Sequence, residues 1–147
     1  MGAAAAGQQR IAVFAAALWW GSLTAIGFVA VPVLFARLAT PAQAGQAAAL
    51  LFTAQTWVSL GCGALLLFAS RARDGRAGLG WAGGALGFVL AGTLLALLSE
   101  FAIAPHIVAR DNLKLWHSAG SAAYAVQWIC AGVTLWKCSG ARFADPS

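Results

Sequence analysis

Apolar positions in this chain run on without interruption instead of alternating with polar ones. Four stretches, residues 11–36, 38–70, 77–99 and 115–136, contain no Asp, Glu, Lys or Arg and are 26, 33, 23 and 22 residues long. Crossing a hydrocarbon core of about 30 Å takes roughly 20 helical residues at about 1.5 Å each. A membrane barrel would show a period of two along each strand, whereas a helix satisfies its own backbone in lipid and carries an unbroken apolar run. The pattern predicts an all-α protein, a four-transmembrane-helix bundle with helices at about 11–37, 47–70, 77–104 and 113–136. The chain, 1–147, reads as a single integral membrane domain.

Local signals refine this outline. The first run, with Trp19, Trp20 and Pro32, is too long for the roughly 7–15 residue core of a secretory signal and reads as a retained helix. The Ala-rich leader Met1 to Gln9 reads as a short flexible tail. Pro32 predicts a kink near one end of helix 1. Residues 39–46 read as a turn, although Thr40 before Pro41 is a helix-start signal. Pro105 either kinks the end of helix 3 or starts a short interfacial helix carrying Ile107, Val108 and Arg110. In helix 3, Gly80 with Gly84 and Gly83 with Gly87 have the spacing that lets backbones approach closely, within the chain or between copies. Trp57, Trp81, Trp116 and Trp136 fit aromatic belts at the two interfaces.

Composition removes the competing classes. The chain is 61% hydrophobic and 9% charged, against about 45–50% and 25% in soluble domains, and disordered chains are poorer still in apolar residues. Its net charge of +5 suggests nucleic acid until the bases are placed: they flank the apolar runs and form no aromatic-interleaved patch. The expected partner is the lipid bilayer and not nucleic acid. If both termini share a side, that side holds Arg10, Arg71, Arg73, Arg76, Lys137 and Arg142, while the other holds Arg37, Arg110 and Lys114. The bias predicts cytoplasmic termini.

Polar residues at helical spacing mark faces turned away from lipid. Helix 4 offers His117, Ser121, Tyr124 and Trp128; helix 2 offers Gln55, Ser59 and Cys62; helix 1 offers Trp20, Thr24 and Gly27. Either they hydrogen-bond across helices or they line a pocket. Ionisable residues at membrane depth are candidate functional groups, and Glu100, His106, Arg110, Asp111 and His117 gather at the predicted outer ends of helices 3 and 4. On a continuous helix His106 and Arg110 would share a face, and Glu100 would reach Arg37 or Arg110. The two histidines, His106 and His117, are the candidate ligands for a metal ion or haem, although their spacing matches no metal motif. Cys130 and Cys138 lie about 12 Å apart along one helix, too far for a disulfide. No C-x-x-C, nucleophile elbow, phosphate loop or paired-carboxylate site is present.

The stretches LWWGSLTAIGFVAVPVLFARL in helix 1, AGQAAALLF at the start of helix 2, Glu100 to Pro105 followed by Arg110, and LWHSAGSAAYAVQW in helix 4 resemble the bacterial transmembrane-protein-205-like family. The resemblance covers about Arg10 to Trp136. It implies a four-helix, multi-pass protein of the bacterial inner membrane, in a family of unknown function. An animal relative is associated with resistance to platinum drugs, and the family is distantly similar to copper-resistance membrane proteins and haem-binding oxidases. In the animal relatives a glutamate directly precedes the proline, whereas here FAIA separates Glu100 from Pro105.

The resulting expectation is a non-enzymatic membrane protein without a resident cofactor. It would bind or move a small cation, metal complex or proton through an outward-facing polar pocket of Glu100, Arg110, Arg37, Gln55, Ser121 and Tyr124. Two alternatives stay open: a haem-binding or redox subunit using His106 and His117, and a structural subunit packing a second copy or another membrane protein on the Gly80, Gly83, Gly84, Gly87 face.

Overall fold

The computed structural model describes residues 3–71 and 82–140, and helices make up nearly all of them. Four helical rods follow one another. The first joins α1 (Ala3–Thr24), a π-helical segment Ala25–Ala30 and α2 (Val31–Arg37); the second is α3 (Pro41–Ser70). The third joins α4 (Ala82–Leu98), a π-helical segment Ser99–Ile103 and α5 (Ala104–Val108); the fourth is α6 (Leu113–Gly140). α1 packs against α3 and α6, and α4 packs against the same two, so each long helix lies between two neighbours. Arg73, Arg76, Gly80, Trp81, Arg142 and the expected start of helix 3 at Ala77 lie outside the described residues.

Among the described residues, three rods are long and apolar enough to cross a membrane: Ala6–Arg37, Pro41–Ser70 and Ala82–Val108. The 28 residues of α6 rise about 42 Å, and this helix carries more polar residues along its length, among them His117, Ser118, Ser121, Tyr124 and Gln127.

Several boundaries differ from the sequence reading, each for a local reason. α1 begins at Ala3, so the leader is helical from that residue on. Its alanines favour helix, and Gln9, 6% exposed, anchors it by donating from Nε2 to the Cys138 carbonyl at the end of α6. α3 begins at Pro41 instead of Ala47: Thr40 is extended, its hydroxyl accepts the Gln43 N–H at 3.3 Å, and Pro41 sits in the first turn. The turn between rods shrinks to residues 38–40. Trp57 then lies about 24 Å along α3 from Pro41, near the middle of the helix and not at an interface.

The two prolines act alike. The Val31 N–H bonds Ile26 O and the Ala104 N–H bonds Ser99 O, each five residues back. Each of these residues immediately precedes a proline, Pro32 or Pro105. Proline lacks the N–H that would return the ladder to its ordinary register, and a widened turn absorbs the mismatch. The first and third rods share this device, a correspondence the sequence does not display as a repeat.

Small residues and one indole build the core. Trp19 is fully buried with Ala12, Ala16, Leu23, Leu66, Val89 and Ala131. A Cβ on Gly92 would come within 2.7 Å of the Trp19 ring, and one on Gly63 within 2.5 Å of the Thr93 hydroxyl. These two glycines let the rods close. Gly83 and Gly87 have nothing within 4 Å of a built Cβ, and one on Gly84 would meet only the Lys137 side chain. Of the expected glycine stripe, Gly83 and Gly87 therefore do not pack against another helix of this chain.

Candidate functional site

The middle of the molecule carries a polar layer. Gln55 and Gln127 are 2% and 3% exposed and Ser59 is fully buried. Gln55 Nε2 donates to Ser22 Oγ on α1 at 3.0 Å and to Ser59 Oγ at 3.3 Å, and Gln127 Nε2 reaches across from α6 to Ser59 Oγ at 2.9 Å. The serine hydrogens go to carbonyls, Ser59 to Gln55 O and Ser22 to Trp19 O. Three rods are thus tied at one level. Gln55 Oε1 and Trp19 Nε1 are buried without a hydrogen-bond partner among the described residues. The sequence pointed to Gln55 and Ser59 but missed Gln127 and Ser22. Gln127 heads its own stripe with Ala131, Thr134 and Cys138, at spacings of four, three and four, one position round the helix from the stripe of Tyr124 and Trp128.

The stripes of helices 1 and 4 do meet. Trp128 Nε1 donates to Thr24 Oγ1 at 2.9 Å, and the Trp20 and Trp128 rings lie 5.7 Å apart. Tyr124 donates to Leu23 O at 2.7 Å, its ring packs edge-on against Phe52 at 5.3 Å, and it covers Gly27 so closely that a Cβ there would lie 2.6 Å from Cε1. His117 and Ser121, in the same stripe, are exposed; over these turns α6 packs on the third rod through Trp116 against His106 and Gly120 near Ile103 and Ile107 instead.

Glu100 lies deeper than expected. Its Oε1 accepts a hydrogen bond from Thr53 Oγ1 at 2.9 Å. Thr53 is about 18 Å along α3 from Pro41 and about 25 Å from Ser70. Glu100 is the single acidic residue within the three apolar rods, and it occupies the π-helical turn before Pro105. Its neighbour Ser99 has a buried hydroxyl without a partner among the described residues. The expected pair with Arg37 or Arg110 does not form, and both arginines are exposed. Arg110 stands in the turn after α5 with φ 58°, so the helix that would have aligned it with His106 has already ended.

The histidines separate in character. His106 stacks on Trp116, centroids 4.1 Å apart and planes 5° from parallel, with Nδ1 3.5 Å from Asp111 Oδ2. Its ring face and one nitrogen are occupied, while His117 is exposed. Among the described residues no three His, Cys, Asp or Glu side chains gather as a metal-ligand set. Cys62, Cys130 and Cys138 are buried free thiols.

Three apolar spanning rods around a hydrogen-bonded polar interior define a multi-pass, all-helical membrane protein. The chain belongs to a family described as a domain of unknown function, DUF4149, whose profile matches residues 14–114. The match takes in Ser22, Thr53, Gln55, Glu100 and Pro105 and ends as α6 begins. No curated protein and no solved structure matches the chain.

Proposed function

We propose that this is a four-span protein of the bacterial inner membrane, with both termini cytoplasmic, that binds or moves a small cation or a proton by way of Glu100. The observation that carries the reading is the Glu100–Thr53 pair, which joins two helices long and apolar enough to cross a membrane. Acidic side chains within membrane-spanning helices mark ion and proton paths. The fourth span is supported by the sidedness of α6: Gln127 and Thr134 are buried while Leu115, Val126, Ile129 and Trp136 are exposed, an apolar outer face suited to lipid. In this reading the protein is a binder or carrier and not an enzyme, and it needs no resident cofactor. The finer kinship with transmembrane-protein-205-like proteins rests on the helix 1, Glu100–Pro105 and helix 4 motifs.

The test is flux in liposomes containing the purified protein, read with a pH-sensitive dye and with radiolabelled cations. Glu100→Gln should abolish flux while leaving helix content and elution unchanged. Parent protein that shows neither flux above empty liposomes nor Glu100-dependent binding of a radiolabelled cation overturns the reading. Reporter fusions at Arg73 and after Ser147 should both report the cytoplasm; an external report from either overturns the orientation.

A further inference from the structure

We propose that the ligand held at Glu100 is a small, hard monovalent cation, coordinated by the Glu100 carboxylate, the Thr53 hydroxyl and a main-chain carbonyl that Pro105 leaves without its donor. The inference rests on the reading of Glu100 above and names its ligand class.

Three observations converge on one turn. The Ala104 N–H bonds Ser99 O, five residues back. In that register residue 105 would serve the Glu100 carbonyl, and in the ordinary helical register it would serve the Phe101 carbonyl. Residue 105 is proline and has no N–H, so one of these oxygens lacks its main-chain donor within the Glu100 turn. In a spanning helix such a group needs another partner, and broken helices in membranes use freed carbonyls to hold cations. The Thr53 hydroxyl already lies 2.9 Å from the carboxylate. Ser99, whose buried hydroxyl has no partner among the described residues, adds a further oxygen in the same turn.

Chemistry narrows the occupant. Every donor named is oxygen, which favours hard cations over the softer ions that thiolates and imidazoles select. The three cysteines lie elsewhere, and His106 is engaged with Trp116 and Asp111. Charge sets the valence. A glutamate brings at most one negative charge, and no second acid lies within the apolar rods. A monovalent ion makes the site neutral, whereas a divalent ion would leave an uncompensated charge at membrane depth, where charge is expensive.

The experiment uses the full-length protein purified in detergent. Thermal unfolding is followed by tryptophan fluorescence in sodium, potassium, lithium or choline chloride at matched ionic strength, with calcium chloride as the divalent probe and radiolabelled sodium for direct binding. At least one small monovalent cation should raise the unfolding midpoint in a saturable way that choline does not reproduce. Glu100→Gln should abolish the response, and Glu100→Asp should weaken it. Thr53→Val and Pro105→Ala, the latter restoring a main-chain donor to the freed carbonyl, should each raise the half-saturating concentration about tenfold, the loss of one oxygen ligand. Asp111→Asn, in the exposed turn, should respond as the parent does.

A response to choline equal to that of sodium, potassium and lithium overturns the proposal, as does preference for calcium or an undiminished response in folded Glu100→Gln. Proton flux in liposomes with no cation response overturns this inference and leaves the function above standing. Absence of both flux and cation response removes the two together.

Discussion

Gly92→Ala tests how the core closes. Gly92 faces Trp19, and a built Cβ lies 2.7 and 2.8 Å from its Cη2 and Cζ2 and 3.2 Å from the Cys130 Cβ. Trp19 is fully buried, so its rigid ring cannot swing away as a flexible chain end would, and the rods must part. Overpacking of this kind costs typically about 1–3 kcal/mol. Alanine is also the better helix former by about 1 kcal/mol, a gain that masks part of the loss. Gly87→Ala, on the same helix with nothing within 4 Å of its built Cβ, carries that gain alone. The difference between the two variants removes the helix-propensity term and should be about 1–3 kcal/mol, with Gly92→Ala the less stable. Reversible unfolding in mixed micelles measures it. Trp19→Phe combined with Gly92→Ala should restore part of the loss, because the ring atoms that clash are gone, and the double-mutant cycle should show coupling. Equal stability of the two alanine variants, or strict additivity with Trp19→Phe, would refute the packing described for this contact.

Ser59→Ala should destabilise more than Tyr124→Phe in the same unfolding assay. It strips the shared acceptor from two buried amides, whereas Tyr124→Phe removes a single hydrogen bond to Leu23 O, worth about 1 kcal/mol or less within a membrane. Gln9→Ala should free the first turns of α1 with little global loss, seen as faster amide exchange confined to the residues before Ile11. Thr40→Ala removes the cap of α3 and should cost about 0.5–2 kcal/mol, less if water takes over the exposed Gln43 N–H.

Apolar run length and the placement of 13 charged residues were enough to reveal the helical class, the membrane environment and the approximate rods, because hydrocarbon imposes length and internal hydrogen bonding on any chain that crosses it. The facing stripes were readable as well: Thr24, Gly27, Tyr124 and Trp128 meet as their spacing required. Spacing resolves a helical face only to about one position, since neighbouring residues stand about 100° apart. Gln127 was therefore missed while His117 and Ser121 were placed inside.

Depth and pairing needed the tertiary structure. Nothing in the order EFAIAP says that Glu100 lies beside Thr53 and not beside Arg37 or Arg110. That follows from how far α3 slides past the third rod, a contact at which Gly63 lets the two helices approach beside Thr93. The glycine spacing at 83 and 87 carries the same local signal without a neighbour to meet. A linear pattern records what each segment can bury; which groups share a buried contact depends on axial register between rods, a property of packing that no single segment contains.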